Sequence, residues 1–103
     1  MTYEKYSDIP ITTTPTFQDK EIKEYLGIVC AEKVSVINPI IIKKMMASYE
    51  NELFTTREEA VKDIEEQAVA LGANAIVGVD IEYGVLGQSN IIMVSVSGTA
   101  VVI

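Results

Sequence analysis

The sequence predicts a single two-layer α+β domain, in which one long helix packs against a largely antiparallel sheet in the order β-β-α-β-β. Three observations predict this fold. The chain has 103 residues, the size of one domain. Apolar residues alternate with period two on both sides of a central stretch that has helical periodicity. A helix with one apolar stripe and a sheet with one apolar face bury these surfaces by packing on each other.

The N-terminal part of the chain predicts one short strand. Residues 1–8 are polar, and we expect a flexible N-terminal arm there, followed by a single domain over residues 9–103. Residues 11–14 belong to the segment IPITTTPTF, whose Thr and Ile favour a strand. Because Pro10 and Pro15 cannot donate to a ladder, we place this strand at an edge of the sheet.

A long second strand is predicted after Ile22, in EYLGIVCAEKVSVI. Its side chains alternate between two faces, with Leu26, Ile28 and Cys30 on one and Tyr25, Val29 and Ala31 on the other. This pattern predicts Cys30 as a small buried hydrophobe. The other hypothesis is a reactive thiolate, which needs exposure and a basic neighbour.

The central stretch predicts the helix. Asn38-Pro39 is typical of a helix start, with Asn as the N-cap and Pro at the first helical position. Apolar residues then recur at helical spacing, at Ile42, Met45, Met46, Tyr49, Leu53, Ala60, Ile64, Ala68 and Leu71. The charged residues that we expect to face mainly outward are Glu58, Glu59, Lys62, Asp63, Glu65 and Glu66.

The helix could be divided in the middle. Thr55-x-x-Glu58 has the pattern of a capping box, which would start a second helix there. We favour one helix from Tyr49 to Leu71, because the inward face keeps its phase across this point. Gly72 is the expected C-terminal cap.

Two strands close the chain, at 74–83 and in NIIMVSVSGTAVVI, and GVLGQSN between them predicts an antiparallel hairpin. In the first of these strands, one apolar face is predicted from Ala75, Val77, Val79, Ile81 and Tyr83. The opposite face then carries Ile76, Gly78, Asp80 and Glu82. Two carboxylates therefore lie two residues apart on one side of a strand.

Asp80 and Glu82 are the candidate site, with Ser95, Ser97 and Thr99 of the last strand as secondary oxygen donors. One hypothesis is a hard-cation site, because Mg²⁺ and Ca²⁺ take carboxylate and hydroxyl oxygens. A second is an acid/base pair. The third is a solvated or hydrogen-bonded strand face at a subunit junction, where charges also limit edge-to-edge aggregation.

Composition restricts the partners. The net charge of −7 disfavours nucleic acid and an anionic membrane surface as partners, since both are gripped by clustered Lys and Arg. No run of apolar residues is long enough for a transmembrane helix, and the N-terminus does not resemble a signal peptide, so we expect a cytoplasmic protein. Hydrophobic residues make up 49% of this short chain, which predicts that other copies cover part of its surface.

Several segments resemble the YbjQ-like family, whose members carry the label "putative heavy-metal-binding domain". They include ITTTPT, EYLGIV, YENEL, REEA, LGANAIVGVD and MVSVSGTAVVI, and the resemblance spans nearly the whole chain from Ile11. It implies a small α+β fold that assembles as a ring-shaped homo-oligomer, with a pentamer as the expected number. It implies no enzymatic activity.

The leading hypothesis is a non-enzymatic, homo-oligomeric binding or scaffold protein that holds a divalent cation or a small ligand at subunit junctions, through Asp80 and Glu82. The chain has no His and one Cys, so a soft-metal site would need Cys30 from several subunits. The alternative is a purely structural or protein-interaction homo-oligomer with no metal ligand. An enzyme ranks third, because no nucleophile arrangement or nucleotide-binding motif occurs.

Overall fold

The computed structural model describes residues 9–36, 46–86 and 91–103, apart from the side chains of 46–49 and 86. Its elements are β1 (Glu24–Val36), α1 (Met46–Ala70), β2 (Ala75–Leu86) and β3 (Ile91–Val102). The strands form one antiparallel sheet in the order β1-β3-β2. The predicted α+β class is confirmed, whereas the predictions for residues 1–8, Asn38-Pro39 and the turn at 87–90 lie outside the described residues.

Helix α1 is continuous over 25 residues, which confirms one helix and not two. The hydroxyl of Thr56 donates to the carbonyl oxygen of Glu52 at 2.8 Å, a bond to the preceding turn of the same helix. The helix spans Met46–Ala70 in the described residues and so includes residues before the predicted Tyr49. Within the described part of the chain, no helix is long and apolar enough to cross a membrane.

The C-terminal end of α1 is capped as predicted. Gly72 has a φ of +90°, in the left-handed region that favours glycine. The N–H of Gly72 donates to the carbonyl of Val69 at 2.9 Å, and that of Ala73 donates to Ala68 at 3.0 Å. This pair of bonds is the Schellman motif, which satisfies the last helical carbonyls and turns the chain towards β2.

The inward face of α1 is mostly as predicted. Ala60, Ile64 and Ala68 are fully buried against the sheet. Leu71 is 48% exposed, and its predicted burial was wrong because the helix ends one residue before it. Glu65 was predicted outward but is only 6% exposed, since it lies directly after Ile64 on the flank of the buried stripe.

A β-bulge divides β2 and corrects the predicted apolar face. Val77 pairs with Thr99, but the next pair is Asp80 with Ser97, so β2 contains one residue more than β3 at this point. The extra residue changes which face each following side chain occupies. The predicted single apolar face was therefore wrong, because Val77 lies on the side away from the helix whereas Val79 lies in the core under it.

A similar irregularity changes the faces of β1. Its register with β3 shifts between Tyr25 and Gly27, which places Leu26 against the same core as Val29. Cys30 is exposed on the opposite face, so its predicted burial was wrong. The alternation along the sequence is real, but a one-residue shift moves every later side chain to the other face.

The sheet consequently carries two clusters of buried residues. The main core lies between α1 and the sheet and includes Val61, Ile64, Val94 and Val96. The second cluster covers one end of the opposite face, where partly buried residues pack over three buried ones: Phe17, Ile22 and Ile103 over Ala75, Val77 and Val101.

The N-terminal segment lies along the outer edge of β2, at the predicted place. Ile11 bridges Ile76 in parallel orientation, and the N–H of Thr12 donates to the carbonyl of Ile76 at 3.0 Å. The N–H of Gly78 donates to the carbonyl of Thr14 at 2.8 Å. The segment is an isolated bridge and not a regular strand, so three strands are observed in the described residues where four were predicted.

Gly98 tests the packing of the sheet at the bulge. A Cβ atom at Gly98 would lie 2.8 Å from Cγ2 of Ile76 and 3.1 Å from Cγ2 of Val79. We expect Gly98→Ala to lower the free energy of unfolding by about 1–3 kcal/mol, the usual effect of overpacking. Urea unfolding at a fixed protein concentration measures this change.

The matched control is Gly84→Ala, whose Cβ would meet only Cε of Met93 at 3.5 Å. That is an ordinary contact, so the change in stability should stay within about 0.5 kcal/mol. Equal effects of the two substitutions would contradict the close packing at Gly98.

Candidate functional site

The sheet face that turns away from α1 holds every predicted site residue, and we call it the open face. Asp80 and Glu82 are exposed on β2, beside the half-buried Ser95, Ser97 and Thr99 of the central strand. The open face also includes residues of all three strands: Ile28, Cys30, Glu32, Val34 and Val36 of β1, Gly84 of β2 and Met93 of β3. The candidate residues chosen from the sequence therefore all lie on one face of the sheet.

The two carboxylates have a regular relation to the central strand. Asp80 pairs with Ser97, and Glu82 pairs with Ser95. Because the rise along a strand is about 3.3 Å per residue, the Cα atoms of Asp80 and Glu82 lie roughly 7 Å apart. Neither carboxylate forms a hydrogen bond or an ion pair within the described residues, so both are available to an external ligand.

The third secondary donor lies further from the carboxylates. Thr99 pairs with Val77 in β2 and with Ile28 in β1, one row of the sheet below Asp80. Its hydroxyl therefore borders the apolar end of the open face. The arrangement brings Ser95 and Ser97 next to the acids and leaves Thr99 at the margin.

Strand β1 adds two polar residues that sequence reasoning did not assign to the site. Cys30 pairs with Ser97 and Glu32 pairs with Ser95, so the open face has one row Cys30–Ser97–Asp80 and a second row Glu32–Ser95–Glu82. The alternation along β1 predicts that Cys30 and Glu32 share a face. Their position beside Ser97 and Ser95 could be predicted only with knowledge of the strand order. Cys30 and Asp80 lie about 10 Å apart across the central strand, two interstrand spacings.

Large apolar side chains lie exposed beside these rows. Ile28 is 80% exposed, Val34 59% and Val36 70%. These three β-branched residues share the open face of β1, where Cys30 and Glu32 separate Ile28 from Val34, and we call them the apolar stripe. Exposed apolar residues grouped on one face are typical of an interaction surface.

Gln67 of α1 holds the outer edge of β1 at the level of the site. Its side-chain oxygen accepts from the N–H of Cys30 at 3.2 Å, and its Nε2 donates to the carbonyl of Cys30 at 2.7 Å. The amide side chain thus takes the place of a neighbouring strand, which β1 does not have on this side among the described residues. These two bonds also fix the position of Cys30 relative to α1.

The described residues of a single copy do not form a complete metal site. The chain has no His and one Cys, and the described residues include no group of three or more potential ligands. Soft metals bind thiolate and imidazole, and a hard cation takes about six or more oxygens. The donors on the open face of one copy therefore fit at most part of a coordination shell.

A groove in the described residues is separate from this site. It has a volume of about 410 Å³ and lies between α1 and β2, lined by Glu50, Leu53, Phe54, Arg57 and Tyr83. The guanidinium of Arg57 lies 4.9 Å from the ring centre of Phe54, a cation–π contact. None of the predicted site residues lines this groove, and Asp80 and Glu82 are exposed.

These features define a small α+β domain whose polar residues lie on an open sheet face and not in a cleft. A model of the family described as "Putative heavy-metal-binding" matches residues 9–103. The chain belongs to this family, the YbjQ family, as its sequence segments indicated. The family description names a metal and no reaction.

Similar proteins agree with this assignment. The chain is 48% identical to a UPF0145 protein of Acetivibrio thermocellus, over 90% of this chain and 97% of that protein. It is 47% identical to a UPF0145 protein of Clostridium botulinum, over 88% and 95%. A crystal structure of a protein of unknown function in the DUF74 family, from Pediococcus pentosaceus, superposes with a TM-score of 0.77 at 19% identity, over 92% and 97%. The last comparison shows the same fold.

Gln67 gives a direct test of how the open face is positioned. Gln67→Ala removes both bonds to the backbone of Cys30. We expect a loss of about 1–2 kcal/mol in the free energy of unfolding, and faster hydrogen exchange at the Cys30 amide. NMR-detected exchange together with urea unfolding measures both.

Glu66→Ala is the matched control, because Glu66 is the exposed neighbour on the same helix. Its effect should remain within about 0.5 kcal/mol, with exchange at Cys30 unchanged. Unaltered hydrogen exchange at the Cys30 amide in Gln67→Ala would contradict the role of Gln67 in holding the edge of β1.

Proposed function

We propose that the protein is a non-enzymatic homo-oligomeric binding protein whose open face binds a divalent cation where copies meet. The observation that carries the proposal is that Asp80 and Glu82 of β2 share the open face with the exposed apolar stripe of Ile28, Val34 and Val36 on β1. The stripe favours association with another copy. Association then brings the carboxylates of different copies close to each other.

The case for assembly rests on the hydrophobic effect. Each Å² of apolar surface removed from water stabilises an assembly by about 25 cal/mol. The exposed apolar stripe would gain this stabilisation if another copy covered it. The face lacks the positive charge that a nucleic acid or an anionic membrane would need, since its charged members are Glu32, Asp80 and Glu82. A second copy of the chain is the partner that fits, and a closed ring of five is the number expected from the family resemblance.

The case for a cation rests on repetition. One copy offers two carboxylates and the hydroxyls of Ser95 and Ser97, which is part of a hard-cation shell. Symmetry repeats this half-site and concentrates negative charge, which a divalent cation offsets. A thiophilic metal, as in the family description, would need Cys30 thiolates from more than one copy because each copy supplies one.

A purely structural assembly is the second candidate. The described residues of one copy hold no group of three potential metal ligands, so the acids could serve only as polar members of an interface. In that case their charge would limit which copies associate and in what register. The two candidates share the assembly and differ only in the cation.

The decisive measurement is native mass spectrometry before and after chelation, with bound metals quantified in parallel. The test variant is Asp80→Asn with Glu82→Gln, which keeps size and removes two charges. We expect the unaltered protein to form an oligomer with a stoichiometric divalent ion. The double variant should lose at least nine-tenths of that ion and its chelator-sensitive thermal stability.

The matched control is Glu59→Gln with Glu66→Gln, which makes the same charge change on the exposed face of α1. It should retain the metal, the oligomer and the response to chelation. The purely structural candidate would be supported by a metal-free oligomer whose thermal stability changes neither with chelator nor with the Asp80/Glu82 substitutions. A monomer at every protein concentration would overturn both candidates.

A further inference from the structure

Helix α1 leaves part of the helix-facing side of the sheet uncovered. It packs mainly on β1 and β3, and only slightly on β2. Tyr83 and Val85 of β2 pair with Val94 and Ile92 of the main core, so all four side chains point towards the helix layer. Yet Tyr83 is 52% exposed and Val85 is 54% exposed. This end of β2 and the flank of α1 form the groove described above, which we call the aromatic groove.

One stripe of α1 lines the aromatic groove. Its members follow the i, i+3, i+4, i+7 spacing of a single helix face, at Glu50, Leu53, Phe54 and Arg57. Leu53 packs against the main core, whereas the ring of Phe54 is 43% exposed. The volume of about 410 Å³ falls in the range of small-molecule sites, which combine apolar walls with a few polar groups. The lining of this groove has the same combination.

Arg57 is held at one end of the groove by three neighbours. Its guanidinium lies 4.9 Å from the ring centre of Phe54, and its Nε lies 3.5 Å from Oε1 of Glu58. Its Nη1 donates a long hydrogen bond to the hydroxyl oxygen of Tyr83 at 3.5 Å. Because this oxygen accepts from Arg57, the hydroxyl hydrogen of Tyr83 points elsewhere and can be donated to another acceptor. Two donors on the groove lining therefore lie side by side.

The charges of the groove suit an anion at one end only. A single carboxylate can accept from both Arg57 and Tyr83, and hydrogen bonds from a guanidinium to a carboxylate are among the strong ones. Glu50 precedes Arg57 by seven residues, so their Cα atoms lie about 10 Å apart along the helix. A second anionic group at that distance would meet the carboxylate of Glu50 and be repelled. The net charge of −7 opposes polyanions in the same way.

We propose that the aromatic groove binds a small aromatic monocarboxylate, with its carboxylate on Arg57 and Tyr83 and its ring between Phe54 and Tyr83. A planar ring fits this lining because contacts between aromatic rings stabilise a complex beyond the area that they bury. Glu50 at the far end discriminates against dicarboxylates. The groove lies on the opposite side of the sheet from the open face, so the inference goes beyond the cation and the assembly proposed above and depends on neither.

Three probes that share one ring system test the role of charge: naphthoate, its neutral amide and the cationic naphthylmethylamine. NMR titration of the full chain locates binding and gives the dissociation constant. We expect naphthoate to bind with a dissociation constant of about 1 mM, the affinity usual for a ligand of this size. The largest amide shifts should fall in residues 50–57 and 81–85. The amide should bind at least tenfold more weakly, and the amine should not bind in the groove.

Single substitutions assign the contacts. Arg57→Gln should weaken naphthoate binding about tenfold or more, because it removes the charge that the carboxylate meets. Tyr83→Phe removes one oxygen and should weaken binding roughly threefold to tenfold, the usual effect of one hydrogen bond. Glu50→Gln should retain naphthoate and extend binding to a naphthalene dicarboxylate. The matched control is Lys62→Gln, the same charge change at an exposed position of α1 outside the groove, which should leave naphthoate binding unchanged.

Equal binding of naphthoate and its amide to the unaltered protein would overturn the role of Arg57. Shifts confined to the open face would overturn the site, as would the absence of shifts at several times the expected dissociation constant. Another copy of the chain that covers the groove would produce the second of these results. Asp80→Asn with Glu82→Gln should bind naphthoate as the unaltered protein does, so failure of the cation site and failure of the groove are separate outcomes.

Discussion

The bulge at Gly78 is the constraint on which the rest of the structure depends. Gly78 has a φ of +62°, a conformation that costs other residues roughly 1–2 kcal/mol. The inserted residue turns Val79 and Ile81 into the core under the helix. Without it, strict alternation from Val77 would turn Asp80 towards α1, where a carboxylate would be buried. The candidate site is thus on the open face because one residue breaks the period of the strand.

The same bulge determines which backbone groups of β2 the N-terminal segment bonds. At the bulge two successive N–H groups, of Gly78 and Val79, point outward, and both are bonded by the N-terminal segment at Thr14 and Thr12. Gln67 performs the corresponding role on β1 with a side chain in place of a strand. Among the described residues, both edges are therefore occupied as far as the level of the Cys30–Ser97–Asp80 row.

The parts of this fold that could be predicted from the sequence are those with a periodic signal. The helix, its Gly72 cap and the long strands follow from apolar spacing, and the grouping of Asp80 and Glu82 with the serines follows from it too. The faces of Val77 and Cys30 could not be predicted, because a bulge changes the phase and leaves composition unaltered. Glu32 was missed for a different reason, since its place beside Ser95 depends on the strand order.

The open face combines two tendencies that oppose each other in a single copy. Its apolar stripe favours association, while Glu32, Asp80 and Glu82 repel the same residues of a neighbouring copy. An assembly is stable only if burial exceeds this repulsion or if a cation offsets it. Glu32 lies on one outer strand and Asp80 and Glu82 lie on the other, so a contact between copies through these strands would bring their carboxylates together. Cation binding and assembly would then be thermodynamically linked, because an ion that binds only where copies meet stabilises the assembled state.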